Sequence, residues 1–532
     1  MRCLLRLGAT GRIEVISPFD AVTQAQLRAV RPRGRWLSGR GCWDFPLVAA
    51  PALRQTLADR FPLEPELAQW LAWMEQPLPP LPSHRELVQA AAPQQPLPDG
   101  RSLLAHQRVA VRWLLARRGA VLADAMGLGK TLSALVAARA MVRLAGCRIL
   151  VLAPVGLHSH WRAEAAALEL AITLHSWASP PAALPPAGTV LIADEAHYAQ
   201  NGTTARSQAL LRLARHPRLR AIWLLSGTPM KNGRPAQLFP LLAAIDHPLA
   251  RDQRRFEELF CAGHWRESGG RWVWQATGAS RLEELRRLTR PLVLHRRKQD
   301  CLDLPPKHRH LVPVELCEAE ELGFEHRLQR TVDDYRARAA RGEVRPEAER
   351  LALLTALRRI ASDYKLEAAS SLVERLLMRR EPVVVFSSFL RTAHALHQRG
   401  EALGGSVLLT GALAPAERQR QVDRFQSGDV PLLVATYGTG GLGFTLHRAR
   451  HVLLIERPWT PGDAEQAEDR CHRIGMGHPL CSHWLQLGVA DQLVDSLIAS
   501  KAERIELVLG NRHLLVERGR LQAMVHQLLA LW

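Results

Sequence analysis

The chain has 532 residues, 47% of them hydrophobic and 23% charged, a globular balance that excludes a disordered or collagen-like chain and gives room for three or four domains. Its 70 Lys and Arg against 51 Asp and Glu leave a net charge of +19, which suits a polyanionic partner such as nucleic acid, although an arginine-rich composition raises the charge without one. The eight cysteines show no CxxC pair and no zinc-ligand spacing, the N-terminus MRCLLRLGATGRIEV has no apolar signal core, and no apolar run approaches the ~18–20 residues of a membrane span. The expectation is a cytoplasmic protein, nucleoid-associated if prokaryotic, with reduced thiols, no structural zinc and no membrane contact. Lysine is scarce, at 130, 231, 298, 307, 365 and 501, so these positions need its compact ammonium.

In chain order, RPRGRWLSGRGCWDF comes first and interleaves Arg31, Arg33, Arg35 and Arg40 with Trp36, Trp43 and Phe45. The arginines suit phosphate contact and the rings suit stacking on unpaired bases; the rings equally suit the core of a small β-rich domain, with the arginines its wet surface. Arg33 and Arg35 are the candidate DNA contacts here. From Glu75 to Gly100 seven prolines predict a semi-rigid linker that cannot continue helix or sheet, which sets off a small domain over 1–74 from a large body.

In the body, apolar runs alternate with helical stretches: VLAD at Val121, ILVLAP at Ile149, VLIADE at Val190 and AIWLLSG at Ala221. This rhythm predicts parallel strands with crossover helices. After the first strand comes AMGLGKT, a glycine turn leading into a helix. There Gly127 and Gly129 let backbone N–H groups wrap phosphates, Lys130 reaches the β/γ oxygens of ATP, and Thr131 ligates Mg²⁺. The strand VLIAD ends in Asp194-Glu195-Ala196-His197, at the sheet edge that faces the phosphate loop. Asp194 is expected to hold Mg²⁺ and Glu195 to orient and deprotonate the attacking water.

Residues 316–380 read as a charged, amphipathic helical insertion. A second strand set follows, with VVVFSS at Val383, VLLTG at Val407, LLVAT at Leu432, VLLIE at Val452 and HWLQLG at His483, and predicts a second α/β lobe. In QAEDRCHRIG, Gln466, Arg470 and Arg473 are spaced i, i+4 and i+7, which predicts one helical face whose guanidiniums receive charge developing on a γ-phosphate.

Taken together and in this order, the motifs resemble the Swi/Snf branch of superfamily-two helicase-like ATPases, over about residues 100–510. The resemblance implies two RecA-like parallel-sheet lobes with helical insertions, over 101–308 and 309–532, with ATP and Mg²⁺ as cofactors and double-stranded DNA as partner of a monomeric translocase. It makes Gln107, in LLAHQRVAVRWLL, the adenine-recognising glutamine, and Ser226, Gly227 and Thr228, in LLSGTP, the coupling residues. Pro154 and Trp161 of LAPVGLHSHW, Ser387 of VVFSSF, and Gly438 and Thr439 of VATYGTGG become DNA contacts.

The stretch FEELFCAGHW with WQATGASRLEELRRLTRPLVLHRRKQDCLDLPPK is similar to the annealing-helicase, HepA-related subfamily, whose members carry a small HARP domain; residues 1–70 resemble that domain more weakly. Departures from the family are Ala125, Gln200, Phe444 and Met476. The expected fold is thus α/β with a small α+β N-terminal domain. The expected function is an ATP-dependent duplex translocase that remodels or reanneals forked DNA. The alternatives are a strand-separating DNA or RNA helicase, or an ATP-gated DNA-binding module; retention of Glu195, Arg470 and Arg473 argues against the last.

Overall fold

The structure, a computed structural model, describes residues 4–492 and Val508, apart from residues 9–11, 18, 32, 47–48, 58–59, 66, 69–81, 217, 231, 344–345, 441–443, 459 and 489–490. The chain forms two compact units, residues 1–230 with 234–301, and residues 231–233 with 302–532. The division comes before the expected residue 308 because Lys307–Pro313 is already a strand of the second unit's sheet.

At the start of the first unit, β1 (Leu4–Leu7), β2 (Ile13–Ile16), β3 (Arg35–Leu37) and β4 (Cys42–Phe45) make an antiparallel sheet in the order β1-β2-β4-β3. Strand alternation sends Ile13, Val15, Trp43 and Phe45 into a core shared with Leu27, Leu53 and Leu184. The other face carries two buried acids bracketed by arginines: Glu14 between Arg6 and Arg40, and Asp44 between Arg12 and Arg35. The N-terminal rings therefore divide, with Trp43 and Phe45 in the core and Trp36 exposed.

Part of the stretch read as a linker is a helix. Its first residues, 75–81, lie outside the described ones, but His84–Ala91 is helical, closed by a capping box between Ser83 and Glu86, and it buries Leu87 and Ala91 in the core of the body. The prolines flank this segment and do not interrupt it: none lies between Pro82 and Pro93.

The body of the first unit is a parallel sheet of β5 (Gly119–Leu122), β6 (Arg148–Ala153), β7 (Thr173–Ser176), β8 (Thr189–Asp194), β9 (Ala221–Leu225) and β12 (Val293–Leu294). Its order is β12-β5-β9-β8-β6-β7, and β10 (His264–Ser268) pairs with β11 (Arg271–Gln275) as a separate hairpin. The inner strands are buried apart from the first residues of β5 and β6, Gly119 and Arg148, as their Val/Ile/Leu runs require of a sheet covered on both faces.

The second unit repeats the plan. Its six parallel strands are β13 (Lys307–Pro313), β14 (Val383–Ser387), β15 (Ser406–Leu409), β16 (Leu432–Thr436), β17 (His451–Leu454) and β18 (Leu480–Gln486). They lie in the order β13-β18-β17-β14-β16-β15. The insertion is two long helices, Glu318–Ala340 and Pro346–Met378, whose Val332, Leu353, Leu357 and Val373 join the core over β14, β16 and β17. Lys365 is fully buried there, 2.5 Å from Asp491 and donating to the carbonyls of Ile455 and Leu485. No helix among the described residues is long and apolar enough to cross a membrane.

Candidate nucleotide site

β5 gives way to a loop that ends at Gly129, the N-cap of the helix Lys130–Ala145. Gly127 and Gly129 have φ of 81° and 73°, backbone that only glycine adopts without strain. At Gly129 a Cβ would also lie 2.1 Å from Gln107 Nε2, so Gln107 is packed directly on the loop. Its Oε1 accepts from the Leu104 N–H at 3.0 Å and its Nε2 donates to the Leu128 carbonyl at 3.4 Å. Lys130 Nζ curls back to donate to the carbonyls of Asp124 and Ala125, at 2.8 and 3.2 Å, which holds the ammonium over the loop at the helix start, with Thr131 next in the first turn.

β8 ends at Asp194. The carboxylate is held on both sides, by the indole N–H of Trp161 at 2.8 Å and by the Glu195 N–H at 2.9 Å, while the Trp177 indole N–H fixes the Asp194 carbonyl at 2.8 Å. Glu195 takes φ 50° and ψ 48°, a left-handed backbone costing about 1–3 kcal/mol in a non-glycine residue. Its Oε2 lies 3.1 Å from His197 Nδ1.

β9 lies between β5 and β8, so the loop leaving it, Ser226-Gly227-Thr228, runs between the phosphate loop and the Asp194 segment. A Cβ on Gly227 would sit 2.8 Å from Met126 Cγ and 3.5 Å from Lys130 Nζ. On its other side Gln200, one of the departures from the family, donates from Nε2 to the Thr228 carbonyl at 2.8 Å. Three further residues complete the loop's support and carry no motif signal that assigns them this part. Arg296 grips both oxygens of buried Asp124 and donates to the His106 carbonyl at 2.7 Å, and His106 Nε2 is 3.0 Å from the Leu128 carbonyl.

Several expected DNA contacts are not surface groups. Trp161 is 0% exposed and serves Asp194, so it positions the carboxylate and cannot meet DNA. Pro154 is buried at the end of β6, and Ser387 is buried with its hydroxyl 3.1 Å from Glu456. Pro154 and Ser387 stand at the end of an inner strand, where side chains enter the core, whereas Trp161 is buried on the helix His158–Ala167. Gly438 is exposed; the Thr439 side chain lies outside the described residues. In the N-terminal sheet Arg33 is exposed, and Arg35 Nε donates to Asp44 at 2.7 Å.

Within the second unit, Gln466 and Arg470 lie on the helix Pro461–Cys471, but Arg473 does not. The helix stops at Cys471, His472 turns the chain with ψ 84°, and Arg473 is then held by the Asp469 carbonyl and the Thr445 hydroxyl, each at 3.0 Å. The expected single face therefore holds two of the three residues. Glu468 anchors this helix to the sheet edge, accepting from Lys307 at 3.0 Å, Arg309, Ser482 at 2.8 Å and Trp484 at 3.0 Å. Burial alone would raise its pKa, but Lys307 and Arg309 bring it down to about 2.

The donor set of the first unit fits a magnesium ion. Burial, then the charge of Glu195, pushes the Asp194 carboxyl up to about 6, a penalty that a divalent cation relieves.

The SNF2-related domain family matches residues 186–366, and the helicase conserved C-terminal domain family matches residues 364–475. The mouse DNA annealing helicase and endonuclease ZRANB3 is 31% identical over 332 residues, 60% of this chain and 30% of that protein. The Xenopus tropicalis SWI/SNF-related matrix-associated actin-dependent regulator of chromatin subfamily A-like protein 1 is 28% identical over 431 residues, 76% of this chain and 44% of that protein. The chain thus spans less than half the length of these relatives. A solved structure, the Sulfolobus solfataricus SWI2/SNF2 ATPase core in complex with dsDNA, is 20% identical and covers 79% of this chain and 99% of that one, with a TM-score of 0.35. With its glycine loop, Asp-Glu-Ala-His strand end and two parallel-sheet units, matched across 186–475 by the two domain families, the chain belongs to the Swi/Snf family of helicase-like ATPases.

Proposed function

We propose that the chain hydrolyses ATP to track along duplex DNA and that it reanneals or remodels forked DNA, acting as a monomer. The observation that carries the catalytic half is the grouping of Lys130, Asp194 and a left-handed Glu195 at one end of a single parallel sheet. Lys130 neutralises charge on the β/γ oxygens, and Gln107 reads the adenine. Thr131 and Asp194 hold magnesium, which when bound screens the phosphate charge. Glu195, its Oε2 3.1 Å from His197 Nδ1, takes the proton of the attacking water. Gln466, Arg470 and Arg473 supply donors for the charge that develops on the γ-phosphate. Ser226, Gly227 and Thr228, tied to the Asp194 segment through Gln200, pass a change at the phosphate to the rest of the unit.

The net charge of +19 and the likeness to a relative named as a DNA annealing helicase support a DNA substrate and annealing as the outcome. Arg33, Arg35 and Gly438, with Thr439, are the proposed DNA contacts that remain. The test is the ATPase rate without nucleic acid and with single strands, linear duplex, forked DNA and RNA. Duplex and fork should stimulate most. Highest rates on single strands or RNA would move the reading to a strand-separating helicase, and no hydrolysis on any of them would leave an ATP-gated binding module.

A further inference from the structure

The hairpin of β10 and β11 is not part of the nucleotide site, yet it is built with care. Gly269 and Gly270 both have positive φ, 59° and 72°, as a two-residue turn between twisted strands requires. Register places Trp265 opposite Trp274 and Glu267 opposite Trp272, so these four share one face; Arg266 and Val273 lie opposite each other on the reverse face, with His264 and Arg271. One face is aromatic and the other basic.

The three tryptophans are not equivalent. Trp274 is the anchor: its indole N–H donates to Glu257 at 2.6 Å, and it fills the space beside Gly263, where a Cβ would lie 2.4 Å from its ring. Arg254 stacks on Trp274 at 3.1 Å and reaches Trp265 at 4.7 Å, and Glu258 holds Arg254 at 3.2 Å. These contacts fix the base of the hairpin on the helix Gln253–Phe260. Beyond them Trp265 is 55% and Trp272 68% exposed, and the Trp272 ring has no hydrogen-bond or ring partner among the described residues. A core would bury such rings, and a merely structural hairpin needs no second and third tryptophan pointing into water.

We propose that this hairpin is a stacking pin for an unpaired nucleotide at a single-strand/duplex junction. Trp272, with Trp265 beside it, takes the face of a flipped or unpaired base, and Arg266 and Arg271 on the reverse side meet the backbone of the neighbouring strand. A rigid hairpin with rings on one face and guanidiniums without an acid on the other matches the chemistry of an unpaired strand, which presents flat faces and phosphates together. The only acid on the hairpin, Glu267, is on the aromatic face next to Trp272, where it faces bases and not phosphates. The inference rests on the proposed DNA motor, which it extends by assigning junction recognition to the motor body and not to the N-terminal sheet alone.

The test uses the full chain and forked DNA with 2-aminopurine at the first unpaired position, beside a blunt duplex of equal length. Trp272→Ala should weaken fork binding about tenfold and remove the wild-type change in 2-aminopurine fluorescence, in line with a stacking contact. Blunt-duplex affinity and duplex-stimulated ATPase should stay at wild-type values, and Trp272→Phe should restore most of the fork preference. Arg271→Ser should weaken fork binding and lower its salt dependence by about one unit of slope. Unchanged fork binding in Trp272→Ala, or an equal loss on fork and blunt duplex, would overturn the pin. So would a wild-type dimer in sedimentation that Trp272→Ala abolishes, which would make the face a contact between copies. Failure of the wild-type chain to bind any DNA would instead overturn the motor reading itself.

Discussion

The two six-stranded parallel sheets have the same plan but use buried charge in opposite ways. In the first, charged groups gather at the strand ends around backbone shaped for a ligand: Lys130 over its loop, Asp194 raised to about 6 by burial and by Glu195, and Glu195 itself in left-handed backbone. In the second, charges close on one another. Lys365 meets Asp491, Glu456 accepts from Ser388 N–H at 2.7 Å and from Ser387, and Glu468 is enclosed by Lys307, Arg309, Ser482 and Trp484. A satisfied buried network specifies and rigidifies, whereas a crowded, raised carboxylate is poised for a partner. The same fold therefore carries a crowded charge cluster in one unit and a closed network in the other, and removal of these charges should have different consequences in each.

The largest effects should come from the first sheet and fall on catalysis with folding intact. Lys130→Ala and Glu195→Gln should each lower ATP turnover on the order of 10³-fold or more while thermal stability and DNA affinity stay near wild type. Loss of DNA binding in a folded Lys130→Ala chain would break the separation between phosphate cradle and DNA surface. Arg470→Ala and Arg473→Ala are the exceptions that sharpen the contrast, because these second-unit residues should cost about 10³ in turnover with nucleotide binding retained.

Next in size is Trp161→Phe, which keeps the ring but deletes the indole N–H on Asp194. Turnover should drop about 10- to 100-fold, and the magnesium concentration for half-maximal rate should rise, with DNA affinity unchanged. A selective loss of DNA affinity would restore Trp161 to the DNA surface.

In the second sheet the readout should be stability. Glu468→Gln should destabilise that unit by about 3 kcal/mol near neutral pH, measured by denaturant unfolding, because it removes the carboxylate that Lys307 and Arg309 share and leaves Lys307 with the more distant Asp469 at 3.4 Å. The folded value of Glu468, about 2, lies below the ordinary 4.5, so its contribution is present above pH 4.5 and is lost as pH falls through about 2. The difference between wild type and variant should fade across that window. The smallest effect is expected at Arg33→Ser, which should lower the salt dependence of fork binding by about one unit of slope and leave ATPase unchanged.

The central strands and the phosphate loop were legible because their signals are local. Runs such as VLIAD and VVVFS are apolar in one stretch, and the glycines of the loop lie within a few residues of Lys130. The strands that were missed stand at or beside sheet edges or apart from the main sheets. TLHS in β7, two residues in β12 and KHRHLVP in β13 are short or polar, as edges that avoid further pairing tend to be, and carry no apolar run to read. The part played by Trp161 was invisible for another reason. Its bond to Asp194 joins residues 33 apart in sequence, and nothing in their spacing records it. Arg296, which reaches back 172 residues to Asp124, is the same case in the extreme. The helix at 84–91 was hidden by reading seven prolines as one block, when the capping box Ser83/Glu86 lay between them.

The left-handed backbone at Glu195 also sets folding and turnover against each other at one position. Glycine or asparagine there would relax a conformation costing about 1–3 kcal/mol and remove a charge that crowds Asp194, so each should give a more stable protein that does no work. A library of variants sorted only for folded protein should fill position 195 with such residues, and the same library sorted for nucleotide turnover should be swept back to the acid. Position 195 thus acts as an internal gauge of which demand a population of these chains has been under.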